Sequence, residues 1–93
     1  MFSWDQAKNR SNQKKHGVSF EAATLVFDAP IHLSRLERIL DGEERWQTIG
    51  NAGEIVLLLV VHTWHEEAGG QQIRIISARR ATKEGRELYE EGA

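Results

Sequence analysis

Residues 54–64 read EIVLLLVVHTW and include the longest apolar run of the 93-residue chain. A strand whose centre is apolar on both faces must be covered on both faces, which places it inside a sheet rather than at an edge. The run is far shorter than the roughly 20 residues that a membrane-spanning helix needs. This stretch therefore predicts the central strand of a β-sheet.

Strands are also predicted on either side of this stretch. Residues 45–50, RWQTIG, alternate apolar and polar side chains, and residues 71–78 form another strand-like segment. Residues 51–53, NAG, and residues 68–70, AGG, are turn sequences that join these strands as hairpins. In the last strand, Arg74 is expected to face away from Ile73, Ile75 and Ser77.

The N-terminal third is predicted to be helical after a short edge strand at residues 2–4. Asp5 is a suitable N-cap for a helix that runs to about Lys15, where Gly17 ends it. Ser19 caps a second, short helix with one apolar face.

The rest of the chain completes a single α+β domain over residues 1–93. Pro30 ends the second helix, and residues 31–40 are compatible with either a strand or a helix. Thr82 caps a final helix that runs to about Glu90. The predicted order is two N-terminal helices, an antiparallel meander and a C-terminal helix.

The net charge of −2 conceals an uneven distribution of charge along the chain. Residues 1–20 carry four Lys or Arg and one Asp, which is +3, and residues 71–93 carry five bases and four acids, which is +1. The middle segment, residues 21–70, carries three bases and nine acids, which is −6. If the two ends meet in space, they form a basic surface that contacts phosphates despite the net charge.

Composition excludes several classes of site. The chain has no cysteine, which rules out disulfides and thiolate sites and suits a reducing, cytoplasmic environment. The N-terminus has no apolar stretch of the signal-peptide type. His62 and His65 are three residues apart near the end of a strand, which puts their rings on opposite faces, so we expect no metal site and no cofactor.

Basic residues near both ends are the candidate anion-binding groups. Arg74, Arg79 and Arg80 fall within the segment RIISARR, and guanidinium groups make bidentate contacts with phosphate. Lys15 and His16 end the first helix, where the helix dipole alone also favours cations. The three tryptophans could stack on bases, but large aromatic side chains in so small a domain are more often part of the core.

The order of short motifs along the chain resembles the BrnT family of toxins from bacterial type II toxin–antitoxin modules. The motifs run from FSWD through KHGVSFEAA, VFD, GEERWQTIG and VVHT to IRIISARRAT and YEE, and cover nearly all of Phe2 to Glu91. The resemblance implies a RelE-like fold, cleavage of RNA, and arrest of translation and growth. It also implies neutralisation by a BrnA-like antitoxin, a ribbon-helix-helix protein that binds operator DNA, in a 2:2 heterotetramer.

For such a toxin, metal-free cleavage would use the neighbouring 2′-hydroxyl and would need a proton acceptor, a proton donor and positive charge near the phosphate. Because an unperturbed histidine titrates near pH 6.5, His62 is the first acid–base candidate and His16 is the second. Arg74, Arg79 and Arg80 are assigned to contact the phosphate and stabilise the transition state, and Tyr89 to orient a phosphate. Lys15, His16 and Lys83 are assigned to bind the RNA. Glu44 would either pair with an arginine or act as a base.

Two features depart from the family pattern. Residues 33–40 lack the polar, aspartate-rich run often found there, and Gly85 occupies a position in the last helix that is usually charged. A non-catalytic RNA- or DNA-binding regulator, or an inactive toxin remnant that binds only its antitoxin, would have the same basic ends.

Overall fold

The computed structural model describes residues 1–53 and 56–92. Glu54 and Ile55, the predicted start of the central strand, lie outside the described residues. The elements are β1 Phe2–Ser3, α1 Gln6–His16, α2 Phe20–Thr24, a 3₁₀ turn Leu25–Asp28, β2 His32–Leu40, β3 Glu43–Ala52, β4 Val56–Glu67, β5 Gly70–Arg80 and α3 Lys83–Gly92.

The five strands form one mixed sheet in the order β1-β5-β4-β3-β2. Strands β2 to β5 pair antiparallel with their neighbours in the chain, and β4 lies in the middle of the sheet. Strand β1 pairs parallel with β5, with Phe2 opposite Ile73. The α+β class is confirmed, but the expectation of a purely antiparallel sheet is wrong, because the N-terminus runs alongside the last strand in the same direction.

One face of the sheet, the inner face, is covered by α1, α2 and the 3₁₀ turn. Phe20, Ala23 and Val26 project from α2 and the turn and are fully buried. They pack on a layer of sheet residues, of which Leu58 and Ile75 are among the largest buried side chains. Burial of this apolar layer is the main force that holds the helices on the sheet.

Helix α1 packs on the sheet through asparagines rather than through an apolar stripe. The Asn12 amide donates to the carbonyl oxygens of Val18 (2.8 Å) and Ala78 (2.7 Å) and accepts from the Ala78 N–H (3.2 Å). Asn9 is also buried and accepts a hydrogen bond from the Phe20 N–H. These contacts join the N-terminal helix to β5 near the other end of the chain.

A β-bulge in β5 changes which residues share a face. Val61 pairs with Ser77 but His62 pairs with Ile75, so Ile76 is the extra residue. As a result Ala78 enters the core, whereas Ser77 turns to the same side as Arg74. The prediction that Ser77 faces with Ile73 and Ile75 is therefore wrong, because simple alternation does not continue through a bulge.

Helix α3 crosses the opposite, outer face of the sheet at one end only. Thr82 caps it by accepting a hydrogen bond from the Gly85 N–H (3.2 Å). The helix passes over the cross-strand row Leu33, Ile49 and Leu59, which are paired successively in β2, β3 and β4. Beyond this row the outer face is left uncovered by helices among the described residues.

Candidate active site

The uncovered part of the outer face carries polar and charged side chains from β2, β3, β4 and β5. Strand register places them in adjacent rows, with Arg35 beside Gln47, Arg38 beside Arg45, and Thr63 beside Arg74. We call this group the outer-face cluster; its members are Arg35, Glu37, Arg38, Glu43, Arg45, Gln47, His65 and Arg74. Four arginines against two glutamates give this face a positive charge that the net charge of the chain does not reveal.

At one side of the outer-face cluster, Glu37 connects neighbouring side chains by hydrogen bonds. Its carboxylate accepts hydrogen bonds from Gln47 Nε2 (2.8 Å) and Arg38 Nε (3.0 Å), and Gln47 in turn accepts from Arg35 Nε (3.0 Å). Desolvation raises the pKa of Glu37, but these hydrogen bonds and the charges of Arg38 and Arg45 outweigh it, so the pKa is lowered overall. Glu37 therefore holds the arginines in place as an ionised group.

A second carboxylate, Glu43, lies between an arginine and a histidine. Arg74 Nη2 donates to Glu43 Oε1 at 2.9 Å, and His65 Nε2 lies 3.6 Å from Glu43 Oε2. The side chains of Arg74 and His65 are 50% and 56% exposed, and that of Glu43 is 32% exposed. All three groups are accessible to a ligand that approaches the outer face.

Arg45 lies on the same face as Glu43, two residues further along β3. Its Nε is buried and has no hydrogen-bond partner within residues 1–53 and 56–92. A buried guanidinium N–H without a partner costs free energy unless an acceptor reaches it. The Arg45 Nε–H is thus an unsatisfied buried donor on the face that carries Glu43.

The structure separates the three arginines of the RIISARR segment. Because of the bulge, Arg79 pairs with Leu59 and faces outward with Arg74, whereas Arg80 pairs with Leu58 of the core and faces inward. Arg80 lines a depression near the end of α1 that also includes Gln13 and Gly17. The arginines of the predicted single anion site therefore lie on opposite faces of the sheet.

The predicted basic residues of the N-terminal segment lie at the end of α1 that borders this depression. Lys15 and His16 belong to the last turn of α1, whose C-cap Gly17 has a positive φ of 69°. Gly17 and Arg80 line the same depression, so the C-terminal end of α1 lies near the end of β5. Lys83 is exposed at the first position of α3, on the other side of the sheet.

His62 is buried, with 0% of its surface exposed. Its Nδ1 donates to the Thr63 carbonyl (3.1 Å), so its Nε2 accepts from the Thr48 hydroxyl (2.7 Å), which also bonds the Ser34 hydroxyl (2.7 Å). Burial lowers the pKa of His62, and the hydrogen bond to Thr63 opposes only part of this shift. The structure therefore places His62 in the core as a neutral ring.

Two other predicted residues also have structural partners. The Tyr89 hydroxyl donates to the Ile31 carbonyl (3.0 Å) and ties α3 to the start of β2. Glu44 is exposed and pairs with Ile39 across the hairpin, so alternation places it on the face opposite its neighbour Glu43. Trp46 and Trp64 pack edge to face against each other, with ring centroids 6.0 Å apart.

Sequence reasoning missed most of the outer-face cluster. Arg35, Arg45 and Glu43 lie in the segment whose summed charge is acidic, and the sum hides which face each charge occupies. The period-two pattern of β3 could have identified Glu43, Arg45 and Gln47 as one polar face.

A groove of about 240 Å³ runs along the outer face beside α3. Leu33, Leu59 and Leu88 form its apolar walls, and Arg35 and Gln47 line it next to the outer-face cluster. Among the described residues, no group of three or more metal-ligating side chains could hold a metal ion, and no helix has the length and apolarity to cross a membrane.

Comparison with known proteins identifies the family. The family model described as "Ribonuclease toxin, BrnT, of type II toxin-antitoxin system" matches residues 4–85. The crystal structure of the Brucella abortus ribonuclease toxin BrnT superposes with a TM-score of 0.60, at 21% identity, over 89% of this chain and 99% of that one. No curated protein matches the chain. Since the family model spans all elements from α1 to the first turn of α3, the chain belongs to the BrnT family of ribonuclease toxins of type II toxin–antitoxin systems.

Proposed function

We propose that this chain is a RelE-like, metal-independent endoribonuclease that cleaves RNA in the cytoplasm and thereby inhibits translation and arrests growth. The observation that carries the proposal is the open outer face, where arginines and carboxylates from four strands converge next to a groove. Family membership supports the ribonuclease assignment. The chemistry needs no cofactor, because the RNA supplies its own 2′-hydroxyl nucleophile.

In this proposal the basic residues of the two faces have different roles. Arg74 and Arg79, both exposed on the outer face, hold the phosphate whose bond breaks and stabilise the charge that develops on it. Lys15, His16 and Arg80 bind phosphates elsewhere on the RNA, with Lys83 as a further contact.

Two residues that were candidates for chemistry act instead through structure. His62 joins β3 to β4 through Thr48, and Tyr89 fixes α3 beside the groove by its bond to Ile31. Neither side chain is positioned on the open part of the outer face.

The partner of the proposed toxin is a BrnA-like antitoxin with a ribbon-helix-helix domain, in a 2:2 heterotetramer that reaches operator DNA only through the antitoxin. Membership of a type II family implies an antitoxin. A partner segment with acidic or apolar side chains would complement the arginines and the groove of the outer face, and would exclude RNA while bound.

The test is induced expression of the chain in bacteria, followed by incubation of purified protein with RNA in the presence of a chelator. The wild-type chain is expected to stop growth and to cut RNA. The Arg74→Ala/Arg79→Ala variant should abolish both effects, Arg80→Ala should weaken RNA binding with less effect on the cut, and Arg10→Ala on the exposed side of α1 serves as the control.

The same assay separates the alternatives. Retention of intact RNA by the wild-type protein would favour a non-catalytic RNA-binding regulator. Capture of the antitoxin without cleavage or RNA binding would favour an inactive remnant. Toxicity of the Arg74→Ala/Arg79→Ala variant equal to that of the wild type would show that the outer face is not the active site.

A further inference from the structure

The outer-face cluster contains a carboxylate and a histidine in contact, a pair suited to accept one proton and donate another. Glu43, at the start of β3, and His65, in β4, approach each other with 3.6 Å between Oε2 and Nε2. Both side chains are accessible, and α3 covers only the far end of this face, near Ile49. We infer that Glu43 and His65 are the general base and the general acid of RNA cleavage, a step that rests on the proposed function.

The geometry satisfies what the reaction requires of a base. A carboxylate accepts the proton of the 2′-hydroxyl while the 2′-oxygen attacks the phosphorus. Arg74 bonds the other carboxylate oxygen, Oε1, which leaves Oε2 directed toward His65. Arg74 uses only one of its five N–H donors on Glu43, so it can bind a phosphate oxygen at the same time.

The geometry also satisfies what the reaction requires of an acid. As the P–O5′ bond breaks, the leaving 5′-oxygen takes a proton from the His65 imidazolium, and the products are a 2′,3′-cyclic phosphate and a 5′-hydroxyl. Glu43 has then gained one proton and His65 has lost one. The proton passes from the Glu43 carboxyl to the His65 ring across their contact, which restores both groups without another residue.

Charged groups around the pair come from all the strands of this face. Arg74 lies on β5, Arg45 on β3 and Arg38 on β2, and strand alternation places Glu67 on the same side of β4 as His65. Of these groups, Arg74 contacts Glu43 directly, and Glu43 contacts His65.

The inference is tested with purified full-length chain, a labelled single-stranded RNA and a chelator. The variants are Glu43→Gln and His65→Asn, which remove the proton-transfer group and keep a similar shape. Matched controls are Glu66→Gln, an exposed carboxylate on the other face of β4, and His32→Asn, an exposed histidine of β2. Thermal unfolding of every variant establishes that it is folded at the assay temperature.

We expect each of the two variants to lower kcat by about 100-fold or more, the usual contribution of a general acid or base, while RNA binding is retained. The double variant should be little slower than the worse single variant, because the two residues act as a unit. The decline in rate on the alkaline side of the pH profile, which reports loss of the His65 proton, should disappear in His65→Asn.

Three results would overturn the inference. The first is that the wild-type chain cleaves RNA and that Glu43→Gln and His65→Asn are each as active as the control variants Glu66→Gln and His32→Asn. Another is RNA products that end in a 3′-hydroxyl and a 5′-phosphate. The last is a wild-type chain that cuts no RNA, which overturns the proposed function together with this pair, whereas the first two results leave the ribonuclease assignment standing.

Discussion

The buried histidine predicts a specific dependence of stability on pH. His62 is fully buried and uncharged in the folded chain, and burial lowers its pKa, whereas in the unfolded chain it titrates near pH 6.5. Above that pH neither state carries the extra proton. Below pH 6.5 the unfolded chain binds a proton at His62 that the folded chain does not bind, so the free energy of unfolding falls as the pH falls.

The magnitude follows from this difference in proton binding. One pH unit below the unfolded pKa, protonation of one histidine stabilises the unfolded chain by up to about 1.4 kcal/mol. A phenylalanine at position 62 cannot take up this proton. The variant His62→Phe also leaves the Thr63 carbonyl without its donor, which costs roughly 1–3 kcal/mol at any pH.

The assay is urea unfolding of the wild-type chain and of His62→Phe at pH 7.5 and at pH 5.5. The variant should be less stable by roughly 1–3 kcal/mol at pH 7.5, and this deficit should shrink by up to about 1.4 kcal/mol at pH 5.5. His16, His32 and His65 are present in both proteins, so their titration cancels in the difference. Val60→Ala, a buried change without a titratable group, should keep a constant deficit.

A deficit of His62→Phe that stays constant within about 0.3 kcal/mol between the two pH values would refute the reasoning. It would mean that the folded chain accepts the proton as readily as the unfolded chain, and hence that the ring is not held neutral in the core. The same variant should still cleave RNA at pH 7.5, because the ring it replaces has no exposed surface.

Three further substitutions test the packing of the fold by urea unfolding. Asn12→Ala should lower the free energy of unfolding by about 2–4 kcal/mol, because it leaves buried backbone groups of Val18 and Ala78 unpaired. A loss below about 1 kcal/mol would contradict that role of Asn12. Gly50→Ala should lower the free energy of unfolding by about 1–3 kcal/mol, because a Cβ there would lie 3.0 Å from His32 Cβ and 3.2 Å from Val26 Cγ1. An unchanged urea midpoint would show that the strand moves to accept the methyl group without cost. Gly85→Ala should instead stabilise the chain by about 0.5–1 kcal/mol, because the position is helical and the atom nearest to an added Cβ is Ile49 Cδ1 at 3.5 Å. A loss of stability would indicate a clash between the new methyl group and β3.

Apolar patterns and capping residues predicted most of the secondary structure, because both are local signals. Asp5 and Gly17 bound α1 as expected, and the uniform apolar run of β4 distinguished it from the alternating β3. The way α1 packs could not be predicted in this manner. Its buried residues are Asn9 and Asn12, which look like surface residues until the carbonyl and N–H groups of α2 and β5 are placed beside them.

The candidate site was predicted less well, because it depends on which face of a strand each charge occupies. A single extra residue in β5 exchanges the faces of Ser77 and Ala78, and with them those of Arg79 and Arg80. A second bulge in β2, where Leu36 pairs with Trp46 but Arg38 pairs with Arg45, leaves Glu37 as the extra residue. Neither irregularity has a glycine or proline to mark it in the sequence.

The two bulges also explain why the charges of this chain are arranged as they are. The bulge in β5 brings Arg79 to the same outer face as Arg74, and the bulge in β2 brings the Glu37 carboxylate to the Gln47 amide on that face. Without them, strict alternation would continue in both strands and would reverse the faces of all the residues beyond each bulge. Ser77 would then replace Ala78 against the core and Arg38 would replace Ile39 on the inner face, so the irregular pairing that hides the site from sequence analysis also keeps these polar side chains off the inner face.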